Sequence, residues 1–88
     1  MNLSRPKTNK AEILFTLLEK GCVSINDFYY LPGFRTRISE LVRIDEIPLK
    51  HESKIGKNKF GNTYVYQEHI LPDIFREHAV NMYETINS

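Results

Sequence analysis

One cysteine, no tryptophan and a net charge of only +1 are what the 88-residue chain has little of. The lone Cys22 cannot close an internal disulfide, so nothing staples the fold and nothing suggests secretion. The longest apolar runs, Ile13-Leu14-Phe15 and Leu17-Leu18, are far too short to span a bilayer. The opening Met1-Asn2-Leu3-Ser4-Arg5-Pro6 has no apolar stretch resembling a signal peptide, so the expected setting is cytoplasmic, with no membrane partner. Asn2-Leu3-Ser4 fits a glycosylation triplet, which such a setting leaves without meaning. What is present, 41% hydrophobic and 26% charged residues, is ordinary for a folded soluble domain, and the length allows one domain only.

The enzyme chemistries are also missing. His51, His69 and His78 belong to no Cys-x-x-Cys or His-Glu-x-x-His spacing, so no metal site is expected. Cys22 follows a helix C-terminus, where the dipole disfavours the thiolate; it reads as a small core residue, not a nucleophile. Neither Gly56 nor Gly61 precedes a Lys-Ser or Lys-Thr, which excludes a P-loop. The expectation is a non-enzyme with no catalytic residue and no cofactor.

Charge divides along the chain. Residues 1–67 hold eleven Lys and Arg against seven Asp and Glu, a net +4, whereas residues 68–88 hold one against four, a net −3. Within 53–67, Lys54, Lys57 and Lys59 stand with no acid. That asymmetry implies a basic working surface and a separate acidic appendage.

Apolar spacing predicts the elements. Asn9 or Thr8 caps a first helix whose face carries Ala11, Leu14, Leu17 and Leu18, and Lys20-Gly21 closes it. Cys22-Val23 reads as an extended link. Ser24 to Asp27 is a capping box opening a short helix over about 25–30, which Leu31-Pro32-Gly33 turns. A third helix over 34–44 has Phe34, Ile38, Leu41 and Val42 on one face. The period then drops to two: a strand over 47–52 with Ile47, Leu49 and His51 on one side, a glycine-bracketed turn over 56–62, and a strand over 63–67. Pro72-Asp73 opens a last helix over 74–86. Leu14, Leu18, Ile38, Leu41 and Val65 are expected to share one core.

The order helix, helix, turn, helix, hairpin is that of a winged helix-turn-helix. The fold class expected is mainly α with a small β-hairpin: three helices, a two-stranded wing and one extra C-terminal helix. Its parts are an N-terminal arm (1–7), the winged domain (8–68) and a C-terminal amphipathic helix (69–88). Leu17 to Ser24, Arg35-Thr36-Arg37-Ile38-Ser39-Glu40-Leu41, Ile47-Pro48-Leu49, Asn58-Lys59-Phe60-Gly61 and Tyr64-Val65-Tyr66 together resemble the short winged helix-turn-helix domains of tailed phages and prophages. The resemblance covers about residues 8–67. It departs after the third helix, where such domains often carry a basic residue and Gly while this chain continues Arg43-Ile44-Asp45-Glu46.

A helix-turn-helix lays its second helix in the major groove and reads bases from that helix's N-terminal end. Here Arg35, Thr36 and Arg37 stand at that end, with Ser39 and Arg43 further along, and arginine's fork suits guanine. Alone, these arginines read as a solvated face paired with Glu40; beside a basic wing they read as DNA-binding. The wing over 54–62 offers Lys54, Lys57, Asn58 and Lys59 to phosphates or the minor groove, and Phe60 is expected to pack back on the hairpin base. In the last helix the stripe Phe75, Ala79, Met82, Tyr83 and Ile86 either covers the chain's own core or pairs with a second copy in a two-fold dimer.

The expected function is sequence-specific double-stranded DNA binding by a small phage- or mobile-element-type transcriptional regulator or architectural factor. The alternative is a winged-helix adaptor gripping a host protein, a reading that the Asp45-Glu46 pair keeps open. A third reading is RNA binding with Tyr64 or Tyr66 stacking on unpaired bases.

Overall fold

A short polar cap starts the first helix, α1 (Asn9–Lys20): the Thr8 hydroxyl accepts from the Ala11 amide, and Gly21 closes the helix at φ +83°. In the computed structural model, which describes residues 3–28 and 31–87, α1 is the centre of the core, with Ala11, Ile13, Leu14, Leu17 and Leu18 fully buried. Met1 and Asn2 of the expected arm, Tyr29 and Tyr30 of the expected second helix, and Ser88 lie outside the described residues.

Cys22-Val23-Ser24 is a strand, β1 (Cys22–Ser24), not a simple link. Three residues are too few to show a period, and only their partner strand, far along the chain, makes them a strand. The Ser24 to Asp27 capping box is present, but it opens a single 3₁₀ turn, Ile25–Asp27, which ends at Phe28. Asn and Asp favour caps and turns over helix interiors, and Phe28 leaves helical geometry at φ −131° to stack on Phe34, ring centroids 5.6 Å apart.

The second helix, α2 (Phe34–Arg43), buries Phe34, Ile38 and Leu41 as its spacing requires. Ile47 is fully buried but lies before the strand, its amide donating to the Leu41 carbonyl at 3.0 Å. The hairpin is longer and later than expected: β2 (Lys50–Lys57) and β3 (Thr63–Ile70). β3 also pairs with β1, Val23 opposite His69, so the sheet has three antiparallel strands in the order β1-β3-β2. The fold is therefore α+β with a three-stranded sheet and three α-helices among the described residues; the mixed class is as expected, and the third strand corrects the two-stranded sheet.

After a 3₁₀ turn at Asp73–Phe75, α3 (Arg76–Ile86) lies against α1. Ala79 and Tyr83 are fully buried, and Phe75, Met82 and Ile86 pack half-buried on the same core. The apolar stripe available for a second copy thus covers the chain's own α1. The chain ends are tied to each other here. The Tyr83 hydroxyl donates to the Ser4 carbonyl at 2.6 Å, and the buried Asn87 side chain accepts from the Lys7 amide and donates to the Arg5 carbonyl at 2.7 and 2.8 Å. The expected boundary at 68/69 falls inside β3, and arm and helix close one shared core.

Candidate nucleic-acid interface

Burial of Phe34, Ile38 and Leu41 fixes the rotation of α2 and hence the direction of everything else on it. Arg35 and Ser39, one turn apart, face the hairpin, whereas Thr36 and Arg43 are exposed elsewhere on the helix. Arg37 is half-buried and its guanidinium meets the Glu40 carboxylate at 2.8 Å. A helix-surface pair three residues apart contributes about 0.2–0.5 kcal/mol, so it orients Arg37 without fixing it. Among the described residues Arg35 and Arg43 have no ion pair.

Asp45 and Glu46, the acids that follow α2, play separate parts. Asp45 is buried and its carboxylate meets the Lys10 ammonium at 3.0 Å, joining the end of α2 to the start of α1. Glu46 is exposed at φ +55°, the left-handed conformation that glycine adopts most easily, and its carbonyl accepts from His78 Nε2 at 3.1 Å. One acid is neutralised internally; the other reverses the chain toward the hairpin.

The hairpin register sorts its side chains by parity. His51 opposite His69, Ser53 opposite Gln67, Ile55 opposite Val65 and Lys57 opposite Thr63 form one face from base to tip. At the base this face meets α2 across an open groove of about 540 Å³, lined by Arg35, Ser39, His51, Ser53, Gln67 and His69 among others. Lys54 has the opposite parity, and Glu52 accepts from it at 3.3 Å, holding its ammonium pKa above the ordinary lysine value. It does not join Arg35 in the groove. Val65 is 71% exposed, so its expected place in the core is wrong: the strand's outer half extends past any helix able to cover it.

Asn58 turns inward on the turn itself. Its side-chain oxygen accepts from the Phe60 and Asn62 amides at 2.9 and 3.1 Å, and the Asn58 amide donates to the Asn62 carbonyl. With Gly61 at φ +83° this makes a tightly bonded tip. Gly56 has a different use: a Cβ there would meet the Tyr64 ring at 2.7 Å, and Tyr64 in turn donates to the Asn26 side-chain oxygen at 3.3 Å. The ring lying over the glycine links the wing to the 3₁₀ turn. Phe60 is 76% exposed and does not fold back on the hairpin base. Lys57 and Lys59, both just before it in the chain, are exposed and without ion pairs among the described residues.

The histidine pair went unseen in the sequence, where eighteen positions separate the two rings. Their Nδ1 atoms lie 2.7 Å apart, so one nitrogen donates and the other accepts. His69 is buried beneath Phe34, and its pKa is lowered by that burial first, then by His51 and Arg35. Strand parity carried the signal, since His51 and His69 fall opposite once the turn is placed. Cys22 is half-buried with its thiol pKa raised, chiefly by desolvation and then by Glu68 and Asp27, so its thiolate is disfavoured. No group of three or more metal-ligating side chains, and no helix long and apolar enough to cross a membrane, occurs among the described residues.

Comparison with family models, with curated proteins and with solved structures finds no match to this chain.

Proposed function

We propose that this chain is a winged helix-turn-helix that binds double-stranded DNA, with α2 entering the major groove and the β2–β3 hairpin serving as the wing. The observation that carries the reading is the pairing of two cationic projections: Arg35 and Arg43 exposed on α2, Lys57 and Lys59 exposed at the tip of the adjacent hairpin. Unpaired cations so placed meet phosphates on both sides of a groove, and Arg35, near the start of α2, is suited to a base edge. Arg37 first has to leave Glu40, and Asn58 is occupied by its own turn, which narrows the reading set to Arg35, Thr36, Ser39 and Arg43. A small transcriptional regulator or architectural factor is the function that follows.

The test is a salt titration of binding to random duplex DNA, followed by fluorescence anisotropy. Affinity should fall linearly with the logarithm of salt, and Lys57→Ala and Lys59→Ala should each lower the slope by about one on every duplex. Arg35→Ala should cost about 1–3 kcal/mol on a selected site and much less on random sequence. Absence of binding at about 50 mM salt and micromolar protein, where non-specific contact registers, would sink the reading.

The host-protein adaptor is a second reading, favoured by Ile55 and Val65. These two lie opposite each other, 75% and 71% exposed, as an apolar pair on the groove side of the hairpin. The same titration separates the two, because the adaptor reading predicts no salt-dependent binding to duplex DNA.

A further inference from the structure

The tip of the hairpin holds a bare aromatic ring. Phe60 is 76% exposed on a turn whose backbone is closed by the Asn58 side chain and by the Gly61 amide on the Asn58 carbonyl at 3.0 Å. A large ring on a loose loop folds back onto the nearest apolar surface. This one projects from a turn whose backbone is closed by its own bonds, and the Lys59 ammonium lies 5.2 Å from its ring centroid. Lys57 lies three residues earlier, where β2 enters the turn, and no acid occurs from residue 53 to residue 67. An exposed apolar ring beside two lysines on a hydrogen-bonded turn matches the chemistry of a stacked base step bordered by phosphates.

Resting on the DNA-binding reading, we infer that Phe60 is a wedge that inserts between base pairs from the minor groove and bends the duplex. The cost of unstacking falls on one flexible pyrimidine–purine step, such as TA, and the bend brings more backbone against Lys57 and Lys59. Pre-organisation by Asn58 matters because a turn already closed loses little freedom on insertion. In this arrangement α2 selects the site and the wing tip deforms it, which favours an architectural use of the protein over simple occupancy.

The experiment uses the full chain and duplexes carrying 2-aminopurine beside TA steps, with donor and acceptor dyes at the ends. At saturation the parent should raise the 2-aminopurine fluorescence and shorten the end-to-end distance. Phe60→Ala, at an exposed position where folding is undisturbed, should still bind but lose both signals; Phe60→Leu, a smaller apolar wedge, should keep part of each. Lys57→Ala should need more protein yet give the full unstacking signal at saturation. A parent that binds while the duplex stays straight and stacked, or a Phe60→Ala protein that bends it as well as the parent, overturns the wedge and leaves DNA binding standing. A parent that binds no duplex overturns both. Phe60-dependent adsorption to anionic vesicles without any unstacking would assign the ring to a lipid surface and likewise overturn the wedge.

Discussion

The two ends of this molecule treat apolar side chains in opposite ways. Around α1 the apolar faces of the core helices find a cover within the chain, with Ile44 and Ile74 exposed singly beyond the helix ends: α3 lies on one side, α2 on another, and the two ends of the chain are bonded together through Tyr83 and Asn87. In the outer half of the hairpin, Ile55, Phe60 and Val65 are more than two-thirds exposed. Apolar groups left in water by a small domain mark a contact surface when they cluster. The helical half is thus the part that makes the fold stable, and the hairpin's outer half is the part able to meet something else.

The sharpest break of that comparison is a matched pair of truncations. Leu41→Ala, at a fully buried site, should cost about 2–5 kcal/mol in denaturant unfolding. Val65→Ala should stay within about 0.5 kcal/mol, the range of surface changes. Equal costs would show that the hairpin face is covered after all. Asn87→Ala comes next: it leaves the Lys7 amide and Arg5 carbonyl without their partner and should cost about 1–3 kcal/mol. If its melting temperature equals the parent's, the chain ends do not act as part of the core.

The histidine pair lies at the border of the two regions and gives a test by pH. His69 has a folded pKa below its unfolded value, so below about pH 6.5 the unfolded chain binds more protons. Stability should therefore fall as pH drops through that value and recover as it rises; His51→Ala should lessen the dependence without abolishing it, since burial is its larger cause. A slope of opposite sign in a urea series across pH 5–7.5 would mean that His69 is not buried under Phe34. The smallest change is Glu46→Gly. Releasing the left-handed residue between α2 and the hairpin should stabilise the fold by about 0.5–1 kcal/mol, read as a higher denaturation midpoint. A loss instead would show that the Glu46 side chain is needed where the two halves meet.

Much of the helical half was legible because its signals are local. Thr8 and Gly21 bracket α1, and the period of Phe34, Ile38 and Leu41 fixes which side of α2 is buried, leaving Arg35 and Ser39 toward the hairpin. The hairpin was legible as an existence but not as a surface. Alternation found two strands but set the first too early and both too short, and the same pattern of Ile and Val describes a covered strand and a bare one, so Val65 was misplaced. The 3₁₀ turn after Ser24 defeated a capping signal because a cap specifies a start and not a length.

Sequence by itself determined the helix faces, the caps, the turn at Asn58 and Gly61, and the shift to period two, since each depends on residues within a few positions of one another. Tertiary structure alone decided four things: that Cys22–Ser24 is a strand, that α3 covers α1, that Asp45 is neutralised by Lys10, and that His51 meets His69. All four join residues far apart in the chain. Such pairings are set by which surfaces remain uncovered once local structure has formed, and that is a property of the assembled core and not of any one segment.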